Sequence, residues 1–265
     1  MFKKLVGAIL LSCLLLSAAS GQKFPHFDKI RPVRAYNKTR SVLLNNIESH
    51  LQTGHPYDDS CPVTSAHECS HGIASRLRQL LHLGQPYQGI YVLNDEAIYF
   101  WEPRITLADI AREIPHSMRG MSYNLYLIQQ QRDWNNNPLY VLDEWQAYSN
   151  GSFVAIDLQM WQRFECSFRQ CLEFLGYSLV MCKLVEERDP NYDSRQLNGY
   201  VLWHARRNLL QMYPYVEKVG ALSENHRRWL LTLRSNRDTI GVRKFCIRQF
   251  GPEECKAVFG FNLEE

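Results

Sequence analysis

Two histidines four residues apart, with a glutamate directly after the first, make His67-Glu68-Cys69-Ser70-His71 the part of this chain best suited to chemistry. On an α-helix, positions four apart lie nearly one above the other, so His67 and His71 can offer two imidazole nitrogens to one metal ion. Glu68 sits one residue round the helix, where its carboxylate can reach a metal-bound water without ligating the metal. The chemistry this predicts is zinc-assisted hydrolysis with Glu68 as general base.

The flanking residues predict the helix that this geometry requires. Thr64 or Ser65 can cap its start, Ala66, Ile73, Leu77, Leu80 and Leu81 form an apolar stripe near helical period, and Gly84 suits its end. Gly72 costs about 1 kcal/mol relative to Ala inside a helix. Together with Cys69 and Ser70 it also lets a neighbouring element come close.

A catalytic zinc site needs a third protein ligand. The stretch from Pro138 to Tyr148 reads as a helix with Asn137 as cap and Pro138 in the first turn. The residues three and four away from Glu144 are Tyr140, Val141, Ala147 and Tyr148, so its carboxylate rises from an apolar face and needs a partner. A zinc ion on His67 and His71 supplies one. Asp143, His116 and Glu96 are the alternative third ligands, and an arginine is the alternative partner for Glu144. The longer metzincin motif is absent, because Ala74 and Leu77 stand where it has Gly and His.

His67-Glu68-x-x-His71 followed by a helical Glu144 resembles the gluzincin-type zinc metallopeptidases, over roughly 90 residues of the chain. The resemblance implies zinc on His67, His71 and Glu144, water activated by Glu68, and a protein or peptide substrate. It also implies a side chain that stabilises the oxyanion, for which Tyr148 is the first choice and Tyr123 and His116 the others. The 73 residues from His71 to Glu144 exceed the spacing in the best-known members.

The N-terminus predicts export. Met1-Phe2-Lys3-Lys4, an apolar run from Leu5 to Leu16, and Ala19-Ser20-Gly21 before Gln22 follow a signal peptide pattern, too short for a transmembrane helix. The expected location is secreted or periplasmic, with no transmembrane anchor. Leu10-Leu11-Ser12-Cys13 also resembles a lipoprotein signal that would lipidate Cys13, but Leu14-Leu15-Leu16 prolongs the apolar run and favours simple cleavage.

The 265 residues, 45% hydrophobic and 22% charged, suffice for a substantial core. The net charge of +3 includes Arg206-Arg207, Arg227-Arg228 and Arg243-Lys244 but no basic stripe, so no nucleic-acid partner is expected. Seven cysteines follow the signal segment, at 61, 69, 166, 171, 182, 246 and 255. In an oxidising compartment disulfide bonds are expected, with Cys246 and Cys255 as plausible mates and another bridge among Cys166, Cys171 and Cys182. Cys69 is read as structural, with pairing to Cys61 or a place near the metal as alternatives. Asn37-Lys38-Thr39 and Asn150-Gly151-Ser152 match the glycosylation acceptor pattern.

The fold class expected is α+β and predominantly helical: a zincin-like active-site helix, a small β-hairpin sheet and a helical C-terminal part. The hairpin is read at Gly89–Leu93 and Ala97–Trp101, and helices at Thr39–Leu51, Thr106–Ile114, Tyr123–Trp134, Val154–Phe174, Leu175–Glu187, Leu197–Met212 and Glu224–Leu233. The expected organisation is a signal peptide (1–21), an N-terminal arm or propeptide (22–60), a zincin-like metal-binding region (61–152) and a helical region (153–265). The last two can form one continuous domain. His204, His226, Trp161, Trp203 and Trp229 are read as core or surface residues. The competing reading is an exported helical binding or interaction protein whose zinc is structural or absent. A fourth protein ligand, Cys69 or Cys61, favours that rival.

Overall fold

The computed structural model describes residues 25–35, 41–52, 60–80 and 86–261. The signal segment with Cys13, the Asn37 pattern and Gly84 lie outside the described residues. The structure is 70% helical with one three-stranded antiparallel sheet, in agreement with the expected predominantly helical α+β class.

In chain order, strand β1 (Asp28–Lys29) and helix α1 (Val42–His50) precede the motif helix α2 (Pro62–Leu80). Strands β2 (Tyr87–Tyr91) and β3 (Glu96–Trp101) form the expected hairpin, with β3 central and the order β1-β3-β2. Helix α3 (Leu107–Glu113) follows, capped by Thr106 in a capping box with Asp109. A π-helical segment (Tyr123–Gln129) then leads through the short α4 (Gln131–Trp134) to α5 (Tyr140–Asp157). The C-terminal part is α6 (Trp161–Arg188), α7 (Arg195–Arg206), a π-helical turn (Arg207–Gln211), α8 (Tyr213–Val216), α9 (Gly220–Ser235), α10 (Ile240–Phe250) and α11 (Pro252–Val258).

Several expected boundaries moved. Helix α2 starts at Pro62, before Thr64 and Ser65. Helix α5 starts at Tyr140 without a side-chain cap, because Asn137 closes a turn with Trp134 instead. It also runs on to Asp157, so Val154 belongs to it, and α6 begins only after a break at Gln159 with φ +57°. Helix α6 is then continuous over 28 residues, where two shorter helices were expected.

Two apolar clusters hold the fold together. The larger lies among α5, α6 and the C-terminal helices, around Trp145, Phe164, Phe168, Phe174 and Tyr200. The smaller joins Leu44, Ile47 and Leu51 of the α1 region to Ala66, Cys69, Ile73 and Leu77 of the motif helix and to Tyr91 and Ala97 of the sheet. Residues 41–51 are therefore part of the packing beneath the motif helix. Ser41 caps α1 through Leu44 N (3.0 Å) and donates to Asp157 Oδ2 (2.7 Å), tying it to the far end of α5.

The motif helix is approached closely from two sides. A Cβ on Gly89 of β2 would lie 2.5 Å from Leu77 Cβ, and one on Gly151 of α5 would lie 3.2 Å from the Val63 carbonyl oxygen. Only glycine lets the strand come this close, and a side chain at 151 would push α5 and α2 apart by a few tenths of an ångström. Between the helices, buried Asn150 donates to Ser70 Oγ (2.9 Å) and the Tyr91 carbonyl (3.2 Å) and accepts from Gln146 (2.7 Å). Gln146 in turn accepts from Tyr200 of α7 (2.9 Å). A fully buried Asn150 engaged in this way is no glycan acceptor.

No disulfide joins the seven described cysteines. Cys166, Cys171 and Cys182 all ride on α6, which places Cys171 and Cys182 about 16 Å apart along the axis, beyond the span of a disulfide. Cys246 and Cys255 are buried as free thiols on α10 and α11. No helix among the described residues is long and apolar enough to cross a membrane.

Candidate metal centre

The apolar stripe of α2 faces the smaller cluster, and this turns His67, Glu68 and His71 to the opposite, half-buried side. Helix α5 crosses there and presents Asp143 and Glu144, both buried. Among the described residues, His67, His71 and Glu144 are the one group of three or more His, Cys, Asp and Glu side chains that could share a metal ion.

Their donor atoms form a nearly regular triangle. His67 Nε2 lies 3.2 Å from His71 Nε2, and Glu144 Oε2 lies 3.6 Å from each of them. Donors at about 2.0–2.1 Å from a tetrahedral ion stand about 3.3–3.4 Å apart, so the triangle has the size such an ion requires. Glu144 Oε2 is buried with no partner nearer than these two imidazoles, at 3.6 Å, longer than a direct hydrogen bond. The donor set therefore fits a divalent cation.

The surroundings fix this triangle. Asp143 Oδ2 stands 3.2 Å from His71 Nδ1, so its carboxylate sets the ring orientation and leaves Nε2 to the shared centre. Arg78, two turns further along α2, lies 3.6 Å from the same Asp143 oxygen, donates to Gln88 Oε1 (2.8 Å) and rests over the Trp134 ring. Trp134 stacks on Tyr140, whose hydroxyl hydrogen-bonds to the Glu144 carboxylate. The arginine weighed as a partner for Glu144 thus serves Asp143 instead.

The two imidazoles differ electrostatically. Burial holds His67 well below the usual histidine range, and the neighbouring His71 lowers it further. Burial also works against charge on His71, but the Asp143 and Glu144 carboxylates outweigh it and raise His71 well above that range. An imidazole must give up its proton at the ligating nitrogen to bind a metal.

Tyr148 packs its ring edge on His67 at 4.3 Å, and its hydroxyl meets that of Tyr126 at 2.5 Å. Burial, then the charges of Glu144 and Glu68, push the Tyr126 hydroxyl up to about 12, so it remains a proton donor at neutral pH. Tyr126 comes from the π-helical segment, and its place beside Tyr148 had no signal in the sequence.

The other residues weighed for the site lie elsewhere. Tyr123 donates to the Ala111 carbonyl (2.9 Å), Glu96 pairs with Lys29 (2.9 Å), and His116 is exposed on a 3₁₀ turn. Cys69 points to Ser65 Oγ (3.8 Å) within the smaller cluster, as the structural reading expected, and burial pushes its thiol up to about 11. Neither Cys69 nor Cys61 joins the three donors.

Comparison with protein-family models, with characterised proteins and with solved structures gave no match to this chain.

Proposed function

We infer that the chain is a zinc-dependent hydrolase of the gluzincin type, exported by its N-terminal signal and acting on peptide bonds. The observation that carries this reading is the donor triangle of His67, His71 and Glu144, with an unsatisfied Glu144 oxygen at its apex and Glu68 on the same helix. Three protein donors suit a catalytic zinc, which keeps one position open, whereas structural zinc is usually closed by four. Zinc held there would lower the pKa of a water and polarise a carbonyl.

The remaining work falls to the side chains. Glu68 accepts the proton of the attacking water and passes it to the leaving amine. The Tyr126–Tyr148 hydroxyl pair, both phenols kept protonated by burial, donates to the carbonyl oxygen as charge develops on it. Asp143 holds His71 in the tautomer that offers Nε2.

The test is Glu68→Gln assayed on casein and on peptidoglycan fragments, with zinc content measured in parallel. Hydrolysis of either substrate by the wild type, lost in the variant while zinc is retained, is the expected result. Activity undiminished in the variant would sink the mechanism. Turnover of peptidoglycan but not casein would narrow the substrate to cell-wall peptide.

A further inference from the structure

A second site lies on the sheet, away from the metal donors. Beyond its two-residue pairing with β1, strand β3 runs alongside the segment that joins α6 to α7, and the two enclose an open groove of about 530 Å³. That is within the range of roughly 300–1,000 Å³ for small-ligand sites. None of His67, His71 and Glu144 lines it.

The walls are fixed by hydrogen bonds. Tyr192 donates its hydroxyl to the Trp101 carbonyl (2.9 Å), Gln196 reaches the Tyr99 carbonyl (3.4 Å), and the Arg104 amide donates to Asp189 Oδ2 (2.9 Å). The Trp101 indole is 42% exposed, and Tyr87 on the neighbouring strand backs it with ring centroids 3.7 Å apart. A large aromatic ring, partly covered by Tyr87, is thus partly open to solvent at the groove.

Charge in the groove is balanced. Asp193 is matched by a fork from Arg195 (Nε to Oδ1 2.8 Å), and the carboxylate of Asp189 is occupied by the Arg104 backbone amide. Glu102 accepts from Leu139 N (3.0 Å), and burial pushes its carboxyl up to about 8, so it is largely neutral at neutral pH. Neither an anion nor a cation is favoured. What is offered is a half-exposed indole beside amide, carboxyl and guanidinium groups on Asn191, Gln196, Asp189 and Arg104. Pyranose rings present just this combination: a face of C–H bonds that packs on an indole, and a rim of hydroxyls that both donate and accept.

We propose that the groove between β3 and the α6–α7 segment binds a neutral oligosaccharide, with Trp101 as the stacking platform and Asn191 and Arg104 bonding to sugar hydroxyls. The site goes beyond the proposed hydrolysis and does not require it.

The experiment is calorimetric titration of the mature protein with tetrasaccharides of N-acetylglucosamine, of β-1,4-glucose and of α-1,4-glucose. Saturable binding of at least one is expected, weakened tenfold or more by Trp101→Ala and by the double variant Asn191→Ala/Arg104→Ala, and unchanged in His71→Ala. The double variant alters exposed groove residues and carries the test if Trp101→Ala does not fold. No saturable binding of any of the three overturns the proposal. So does binding that survives both groove variants, or that His71→Ala abolishes. An aromatic tetrapeptide that binds in a Trp101-dependent way where the sugars do not would likewise overturn it.

Discussion

His71 stands between two carboxylates, Asp143 at Nδ1 and Glu144 near Nε2, and the two have different work. Asp143→Asn keeps the shape but removes the charge that orients the ring. Loss of such a partner typically costs 10–100-fold in metal affinity, so a weakening of about that size is expected in a competition titration with a chelator. Unchanged affinity would show that α5 alone positions the ring. Glu102 sets a pH dependence of its own. Its folded carboxyl titrates at about 8, against about 4.3 in the unfolded chain, so the folded state binds the extra proton between those values. The stability this contributes is complete below about pH 4.3 and is lost as pH rises through about 8. Melting temperatures at pH 5 and pH 8.5 should therefore differ more in the wild type than in Glu102→Gln, and a parallel fall would contradict the assignment. At this scale the sequence was informative wherever donors share a helix. His67 and His71 could be paired from their spacing, and Arg78, seven residues beyond His71, sits on the same face. Tyr126 was not legible, because its meeting with Tyr148 depends on how a π-helical segment packs across α5.

Helices α2 and α5 hold the site only because they touch closely, and two substitutions probe that contact. Gly151→Ala puts a methyl 3.2 Å from the Val63 carbonyl oxygen, so α5 and α2 must part by a few tenths of an ångström, and the urea midpoint should fall despite the gain of about 1 kcal/mol in helix propensity. Asn150→Ala removes the acceptor of Gln146 Nε2 and the donor to Ser70 Oγ and the Tyr91 carbonyl, with an expected loss of about 1–3 kcal/mol. Stability equal to wild type in both would show that the helices are held by other contacts. A chain beginning at residue 53 loses Leu44, Ile47 and Leu51 from the smaller cluster and should fail to fold cooperatively. A cooperative, zinc-binding truncation would favour the reading of that segment as an arm or propeptide. The helix pair was legible from the apolar period of α2 and from the single carboxylate on an apolar face of α5. The start of α5 was misread because Asn137 and Pro138 fit a cap equally well as a turn, and here they lie in local turns beside Leu139, whose amide donates to Glu102.

For the whole molecule, composition and periodicity sufficed for the class, a mostly helical α+β chain with one hairpin, because both signals are local. The cysteines were a different matter. Their count suggested bridges, but whether two thiols meet depends on helix lengths that the sequence left open, and the single long α6 separates three of them. In the folded protein, a thiol reagent should label Cys166 rapidly and half-buried Cys61 more slowly, leaving Cys69, Cys171, Cys182, Cys246 and Cys255 protected until denaturation. Reductant should leave the melting temperature unchanged, and a fall of several degrees would reveal a bridge. The central claim is that α2 and α5 together make one zinc site. It is tested most directly by elemental analysis of the purified protein beside His71→Ala and Glu144→Ala. The account predicts about one zinc per chain in the wild type and loss of it in both variants. Zinc retained in Glu144→Ala, or none in folded wild type after reconstitution with zinc, would contradict it.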